Sequence, residues 1–259
     1  MRAIAHIDGG ERIADEPRRA VRVLAERAEV TITWSRYGAG ERGPDLHVHR
    51  EHTDAFYVLD GEVTFAVGPR AEKVRVGHGG FVAVPPGVVH CFANETDADA
   101  CWLNLHAPDT GFAAYLRDLR DGRPIAFDSF DPPTDGGRPA TEVVVSAPGE
   151  GERLVAGNRV VSLKAVLPEL SVAEWTLDGP FDGPHANRHD GRVDAFYVLE
   201  GELELTVEDA VHAAGPGTLA AIPPGVRHTF AHRGSGLTRV LDVHAPDGGF
   251  AEFLRRTSG

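Results

Sequence analysis

The chain has 259 residues, a formal net charge of −13 and two cysteines. This leaves room for two ordinary domains and argues against a nucleic-acid partner, because phosphate neutralisation needs clustered Lys and Arg. No apolar run approaches the ~20 residues of a transmembrane helix, the amino-terminal stretch lacks the apolar core of a secretory signal, and two cysteines are too few for a disulfide framework, so we expect a reduced, cytoplasmic protein.

Short apolar strands separated by Gly, Pro and Asp turns fill the first half of the chain. Alternation is clear at Val63, Phe65 and Val67, which share one face of their strand. Strands of this kind avoid exposed edges by closing into a barrel or a jelly roll. The predicted strands cover residues 30–37, 55–59, 62–67, 81–84, 88–92 and 101–106.

Three histidines and an aspartate form the strongest functional pattern. His47 and His49 lie two residues apart, so in a strand both face the same side. Asp54 has the opposite parity and reaches that side only if the chain turns within 50–53. His90 follows a Pro-Pro-Gly turn. Three neutral imidazoles and a carboxylate suit a divalent transition metal and leave positions for water or substrate.

After the HAPD motif the apolar residues change to helical spacing. Phe112, Tyr115, Leu116 and Leu119 fall on one helical face, so we predict a short amphipathic helix on the outside of the barrel. These aromatic residues are expected in the core rather than in a site.

The second half of the chain repeats the first. DAFYVLDGEVTFAV, from Asp54, returns as DAFYVLEGELELTV, from Asp194, while GERI and Trp34 return as GERL and Trp175. The helical pattern also returns after the second HAPD. Two copies of one fold are therefore encoded. We predict an amino-terminal domain over 1–127, a Pro/Gly/Asp-rich linker over 128–140 and a carboxyl-terminal domain over 141–259.

The second copy offers a weaker set of metal ligands. Aligned on DAFYVL, its positions hold Asn187, His189, Asp194 and His228. The amide oxygen of Asn187 is a poorer ligand for a transition metal than an imidazole, although His185 could replace it if its loop shifts by two residues. We therefore place the metal in the first copy and a second, weaker site here.

Four further assignments carry alternatives. Asp54 is either a metal ligand or a residue that caps a turn or holds a ligand imidazole; off the metal, it is placed to accept a substrate proton. His52 could substitute for it, but we expect His52 in an exposed loop. His106 and His244 are expected to be half-buried and hydrogen-bonded near the ends of their strands.

The two motifs of the first copy resemble the paired metal-binding motifs of the cupin superfamily. The first motif is His-x-His, an acidic residue and FYVLxG, with Asp54 where the family usually has the longer glutamate. The second keeps every spacing of the family, at Gly79, Pro85, Gly87, His90 and Asn94. The resemblance covers both copies and implies an all-β bicupin: two tandem double-stranded β-helix (jelly-roll) barrels, each followed by a short α-helix.

The resemblance implies a metal-dependent enzyme acting on a small organic substrate, aromatic or enolisable, at the first-copy site. Quercetinase-like dioxygenases are our first choice, with iron, manganese, nickel, cobalt or zinc as the divalent ion. A redox-silent ion would instead favour the isomerases and polyketide cyclases of the superfamily. A non-catalytic cupin would only bind a small molecule. Pairing of edge strands leaves a homodimer open.

Strand parity predicts which apolar side chains line the two barrels or form their cores. Such an interior suits a planar or hydrophobic substrate better than a highly charged one. The predicted residues are Phe56, Val58, Val63, Phe65 and Phe92 in the first copy and Phe196, Val198, Leu203, Leu205 and Phe230 in the second.

Overall fold

The computed structural model describes residues 3–257 as mostly β-structure. The strands of the first half are β1 (Ile4–His6), β2 (Glu11–Glu16), β3 (Arg19–Glu26), β4 (Thr31–Tyr37), β5 (Thr53–Asp60), β6 (Glu62–Val67), β7 (Glu72–Gly77), β8 (Phe81–Val84), β9 (His90–Ala93) and β10 (Ala100–Ala107), followed by helix α1 (Phe112–Asp121). The strands of the second half are β11 (Val144–Ser146), β12 (Glu152–Ala156), β13 (Arg159–Val166), β14 (Ser171–Asp178), β15 (Val193–Glu200), β16 (Leu203–Val207), β17 (Ala210–Ala214), β18 (Thr218–Ile222), β19 (His228–Ala231) and β20 (Leu237–Ala245), followed by helix α2 (Phe250–Thr257). Short 3-10 turns lie at Ile7–Gly9 and Ala140–Glu142. The predicted all-β class and the short helix after each copy are confirmed.

Neither α-helix has the length and apolarity needed to cross a bilayer.

Each copy builds one seven-stranded and one three-stranded antiparallel sheet. In the first copy the orders are β11-β8-β5-β10-β4-β3-β2 and β7-β6-β9, and in the second they are β1-β18-β15-β20-β14-β13-β12 and β17-β16-β19. Apolar residues of both sheets form one core per copy. The first core contains Phe56, Val58, Val63 and Phe65, with Phe92 packed against it, and the second contains Phe196, Val198, Leu203, Leu205 and Phe230.

The six strands predicted for the first copy each overlap an observed strand. Four more strands of the first half, β1, β2, β3 and β7, were not predicted. Strand β7 reads EKVRVG and is largely exposed, so its apolar alternation is too short to stand out from the charged residues around it.

The chain divides into two compact units whose limits differ from the predicted ones. One unit is Gly10–Gly149; the other runs from Glu150 and also includes the segment that ends at Gly9. Strand β11 therefore belongs to the first unit, where it pairs with β8. Strand β1 belongs to the second, where it pairs with β18.

The segment 128–140, predicted as a linker, is packed within the first unit. Phe130 exchanges backbone hydrogen bonds with Val48, and the amide of Arg138 donates to the carbonyl oxygen of Gly87 at 2.8 Å. The Pro, Gly and Asp content correctly predicted that the segment lacks long helices and strands. The same residues are also common in ordered irregular segments that are held by hydrogen bonds.

One repeat correspondence shifts by a residue. Trp175 pairs with Val240, whose counterpart in the first copy, Trp102, pairs with Ser35 rather than with Trp34. A register shift of one residue reverses the face on which a side chain lies. Trp34 is accordingly half-buried, whereas Trp175 lies in the core.

The turn glycine of each FYVLxG motif has a defined reason. Gly61 joins β5 to β6 with φ 70°, and its counterpart Gly201 has φ 75°. This left-handed region favours glycine. A Cβ at Gly61 would also meet the backbone of Asp99 and Ala100. The glycine therefore sets the register of the strand that carries the motif.

Asn94, the last residue of the second cupin-like motif, holds a loop. Its side-chain nitrogen donates to the carbonyl oxygens of Tyr37, Gly38 and Ala98 at 2.7–3.0 Å. Its counterpart His232 contacts carbonyl oxygens in the same manner. Both residues are buried supports of a loop, away from the histidine clusters.

Helix α1 is tied to the large sheet by an ion-pair network. Arg117 donates to both carboxylate oxygens of Glu11 and of Glu26 at 2.6–3.1 Å. The hydrogen bonds from Arg117 lower the pKa of Glu11 despite the opposing effect of burial. In the second copy Arg255 makes the corresponding bonds to Glu152 alone.

We predict that Arg117→Gln lowers the free energy of unfolding by about 1 kcal/mol at pH 7, because these side chains are partly exposed and screened. Since the pKa of Glu11 is lowered in the folded state, its contribution is complete above the ordinary value of 4.5 and is lost as the pH falls below it. The loss caused by Arg117→Gln should therefore shrink between pH 6 and pH 4. Urea unfolding at both pH values measures it. Arg255→Gln is the matched control, with a smaller loss; equal losses at pH 7 would contradict the network.

Candidate metal centre

The structure brings the three predicted first-copy histidines together. His47 and His90 form an isolated antiparallel bridge through backbone hydrogen bonds of 3.0 and 2.8 Å. His49 follows two residues later on the same side. The Nε2 atoms of His47 and His49 are 3.2 Å apart, and one ring nitrogen of each of the three histidines lies within 4.8 Å of the other two.

The turn required for Asp54 to reach these rings is present. The bridged segment ends at Val48, the chain bends at Arg50 and Glu51, and β5 begins at Thr53. The turn reverses the side on which odd- and even-numbered residues lie, so the carboxylate of Asp54 faces the same cluster as His47 and His49.

Asp54 is buried and lies against the same histidines. Its Oδ2 is 3.3 Å from His90 Nε2 and 3.8 Å from His49 Nε2. Its Oδ1 accepts a hydrogen bond from the side-chain amide of Asn104 and lies 3.4 Å from His106 Nε2. Burial raises the pKa of Asp54, but the His106 ring and the contacts with His49 and His90 outweigh it, so the pKa lies well below the usual range.

Each of the three histidine rings is oriented by a backbone carbonyl. Nδ1 of His47 contacts the carbonyl oxygen of Asp45 at 2.9 Å, Nδ1 of His90 contacts that of Val88 at 3.1 Å, and Nδ1 of His49 contacts that of Asp128. A carbonyl can only accept, so Nδ1 carries a proton in all three rings and Nε2 is the atom directed into the cluster. The three Nε2 atoms face one small volume beside a carboxylate.

Burial keeps the outermost of these rings neutral. His47 is half-exposed, whereas His49 and His90 are buried. Burial, followed by the neighbouring His90 and His49, lowers the pKa of His47 to about 4. A neutral imidazole is the form that binds a metal ion, so this ring is ready to act as a ligand at neutral pH.

The expectation that His52 is exposed was wrong. His52 is fully buried, its Nδ1 lies 2.8 Å from Asp128 Oδ2, and its Nε2 lies 2.8 Å from Nδ1 of His106. The His106 ring stacks on Phe112 with centroids 3.6 Å apart. One ring nitrogen from each of His49, His52 and His106 therefore lies within 4.8 Å of the other two. His106 was predicted to be half-buried, but the side chain is 2% exposed and therefore fully buried.

Residues 127–130 cover this cluster, and sequence analysis missed them. The ring of Phe127 lies between 5.4 and 5.9 Å from the rings of His49, His52 and His106. The Asp128 carboxylate accepts hydrogen bonds from the amides of Arg50 and Glu51 at 2.8–3.1 Å. The only signal in the sequence was an aspartate between two phenylalanines in a segment otherwise rich in turn residues.

The second copy retains the arrangement with changed side chains. Asn187 and His228 form the same backbone bridge as His47 and His90, so the loop has not shifted and the exposed His185 does not replace Asn187. His189, Asp194 and His228 each offer an atom within 4.8 Å of the others.

Two buried carboxylates flank His244 in this copy. Its Nδ1 is 2.9 Å from Asp194 Oδ1, and its Nε2 is 3.1 Å from Asp242 Oδ1. Burial lowers the pKa of His244, but Asp242 and Asp194 outweigh burial and raise it to about 9. The expectation of a half-buried histidine is corrected here too, since His244 is 4% exposed. The Asp242 side chain accepts a hydrogen bond from Trp175 Nε1 at 3.0 Å.

A cavity of about 320 Å³ opens onto this second cluster. Its wall combines aromatic side chains with the polar groups of the cluster. Among the lining residues are Trp175, Asn187, His189, Arg192, Asp194, Phe196, His228, Phe230, Asp242, His244, Phe250, Phe253 and Arg256. Parity predicted that Phe196 and Phe230 line the second barrel or form its core. Both residues belong to the core and also line this cavity.

Comparison with known proteins gives a family and several relatives. A model of the cupin domain family matches residues 33–106 and 175–244. Quercetin 2,3-dioxygenase of Bacillus subtilis (strain 168) is 22% identical over 260 residues, covering 84% of this chain and 73% of that protein. Among solved structures, the formate complex of Lactobacillus farciminis oxalate decarboxylase matches with a TM-score of 0.64 at 12% identity, covering 95% of this chain and 87% of that one. The Escherichia coli protein Ylba matches with a TM-score of 0.65 at 13% identity, covering 93% and 89%.

We predict that Asp128→Ala lowers the free energy of unfolding by about 2 kcal/mol, because it leaves the buried ring of His52 and two backbone amides without their charged acceptor. Hydrogen exchange should accelerate selectively at the amides of Arg50 and Glu51. Asp131→Ala, at an exposed aspartate of the same segment, is the matched control. Unchanged exchange at both amides in Asp128→Ala would show that the carboxylate does not hold the turn.

Proposed function

This chain belongs to the cupin domain family and carries one copy of the domain in each half, and from that premise we propose that it is a metal-dependent oxygenase whose centre is the first-copy histidine cluster. The predicted bicupin resemblance and jelly-roll class are confirmed. The clusters of both copies contain atoms that could hold a metal ion. Substrate, reaction and the identity of the ligands are parts of the proposal.

The observation that carries the proposal is the convergence of three histidines beside a buried carboxylate in the first copy. Nε2 of His47 and Nε2 of His49 lie 3.2 Å apart, and Nε2 of His90 lies 3.3 Å from Asp54 Oδ2. When the three rings are neutral with the proton on Nδ1, as metal ligation requires, their Nε2 lone pairs and the Asp54 carboxylate repel one another. A cation between these groups would remove the repulsion, so the donor set fits a divalent transition metal.

We assign His47, His49 and His90 as the ligands that would hold the ion, with Asp54 as the fourth member. When bound, a redox-active ion would supply Lewis acidity to a substrate oxygen and reactivity toward dioxygen. His47 is the ligand at the partly exposed side of the cluster, so a small substrate would approach from that side.

The remaining polar residues prepare Asp54 for proton transfer. The side-chain amide of Asn104 holds Oδ1, which leaves Oδ2 directed toward the histidines. With Asp54 off the metal, Oδ2 would accept the proton of a bound substrate whose own pKa the ion has lowered. Phe127 and Phe112 exclude water from the side of His106, which strengthens the electrostatic interactions inside the cluster.

The dioxygenase assignment is supported by the likeness to quercetin 2,3-dioxygenase. The apolar interior of the first copy, with Phe56, Phe65 and Phe92 in mutual ring contact, is compatible with a planar organic substrate. Residues of the chain do not single out one compound, so the flavonol quercetin is the first substrate to test.

We predict that the purified protein retains about one divalent ion at the first-copy site and that His49→Ala lowers its affinity by about 100-fold or more. Metal analysis by mass spectrometry measures this. His228→Ala, which alters the equivalent cluster of the second copy, is the control and should retain the ion. Equal metal content in His49→Ala and the unmodified protein would overturn the ligand assignment.

With the metal-loaded protein we expect oxygen uptake in step with quercetin consumption, and loss of both in His49→Ala. An oxygen electrode and absorbance of the flavonol measure the two quantities together. Substrate conversion without oxygen uptake would instead support a redox-neutral isomerase or cyclase. Metal and substrate binding without conversion would support a non-catalytic binding protein.

A further inference from the structure

The second copy has an arginine where the first copy has a histidine. Arg192 and His52 both lie two residues before the aspartate that begins the DAFYVL motif. His52 turns toward Asp128, 2.8 Å away. Arg192 instead turns into the histidine cluster of its own copy and becomes part of the cavity wall.

The guanidinium of Arg192 contacts two of the three side chains that would hold a metal ion. Its Nε donates to Asp194 Oδ1 at 3.1 Å, and its Nη2 donates to His189 Nε2 at 2.8 Å. Its Nη1 contacts the carbonyl oxygens of Asp247 and Gly248 at 3.3 Å each. The side chain is 12% exposed and is therefore held in place on three sides.

This arrangement does not fit a metal ion. The lone pair of His189 Nε2 is already used as an acceptor, and the third imidazole of the first copy is replaced by the amide of Asn187. A guanidinium does not lose its proton at accessible pH. A divalent ion at this place would therefore have to displace a fixed positive charge from a buried carboxylate.

The cavity beside Arg192 has the chemistry of a pocket for an organic anion. Both of its buried carboxylates already have partners: Asp194 has Arg192 and His228, and Asp242 has Trp175 and His244. The hydrogen bonds recorded among the described residues use one N–H on Nε, two on Nη1 and one on Nη2 of Arg192. The second N–H of Nη2 is left for a ligand.

The rest of the cavity is suited to an apolar body. Aromatic rings form much of the wall, and a volume of about 320 Å³ accommodates a small molecule. A second arginine, Arg256, also lines the cavity. The free N–H of Arg192 Nη2 offers a carboxylate one charge-assisted hydrogen bond, while the aromatic wall removes the remainder of the molecule from water.

We propose that Arg192 takes the place of a metal ion in the second copy and that the cavity it lines is a metal-independent binding site for a small monocarboxylate with an apolar or aromatic body. The proposal does not depend on metal binding or catalysis in the first copy.

The first test concerns the metal. Equilibrium dialysis of the whole chain against Co²⁺ should give the same stoichiometry for the unmodified protein and for His228→Ala. This holds whether the first copy binds an ion or none, so failure of the first-copy assignment leaves this result readable. The proposal would be overturned if the unmodified protein bound one more Co²⁺ ion than His228→Ala and if the d–d absorption of that ion were missing from His228→Ala.

The second test concerns the anion, with benzoate as the probe and benzyl alcohol as its neutral counterpart. Isothermal titration calorimetry should show benzoate binding at least about tenfold more tightly than benzyl alcohol, and Arg192→Met should remove that preference, because charge-assisted hydrogen bonds contribute at this level. Arg188→Met, an exposed arginine on the same loop, is the matched control and should bind as the unmodified protein does.

Arg192→Met leaves Asp194 with fewer partners, so Arg192→Lys provides a second variant that keeps the charge but loses the Nη2 donor. We expect Arg192→Lys to fold and to bind benzoate with an affinity between those of the unmodified protein and Arg192→Met. Equal affinity for benzoate and benzyl alcohol in the unmodified protein, or benzoate affinity unchanged in both variants, would overturn the proposal.

Discussion

A carboxylate buried near the start of β5 and of β15 imposes the main constraint on this protein. Asp54 is 3% exposed and Asp194 is 2% exposed. An ionised carboxylate withdrawn from water this far is stable only with positive charge or hydrogen-bond donors around it. Asp54 has His90, at the start of β9, and His106, near the end of β10, beside it. Asp194 has His228, at the start of β19, and His244, near the end of β20.

The two copies complete this environment differently, and one of the differences lies two residues before the aspartate. Arg192 brings a permanent charge to Asp194 and thereby satisfies it from within the chain. His52 bonds to Asp128 instead, which leaves Asp54 among imidazoles. We propose that the first copy receives a cation from solution, whereas the second already contains one in Arg192. On that proposal, the duplicated fold supports a metal centre in one half and an organic-anion site in the other.

A segment that follows helix α1 covers the histidines of the first copy. In the first copy, residues 127–130 lie over the histidines, and Phe127 extends a ring stack through Tyr115. Asp128 fixes both the covering segment and the turn that carries His49 and His52. The same segment therefore orients the His49 ring and shields it from water, so a change in the segment would affect the cluster without altering any of its histidines.

Much of the fold and part of the site follow from local patterns in the sequence. Alternating apolar residues, turn glycines and the internal repeat determined the strands and the two copies, because side-chain parity and backbone conformation are set within a few residues. The same parity argument placed His47 and His49 on one side, and the spacing of the second motif added His90. Only the tertiary structure decided the roles of His52, Asp128 and Arg192.

These three residues lie in irregular segments, where no period constrains the direction of a side chain. Asp128 reaches its partners across more than seventy residues of chain, and no local pattern records such a contact. Arg192 and His52 occupy matched positions yet point to different partners, since each side chain turns toward whatever charge the surrounding fold supplies. The sequence by itself thus determined the scaffold and the converging histidines, while tertiary packing decided which cation balances each buried carboxylate, because that balance depends on groups brought close in space and distant in the chain.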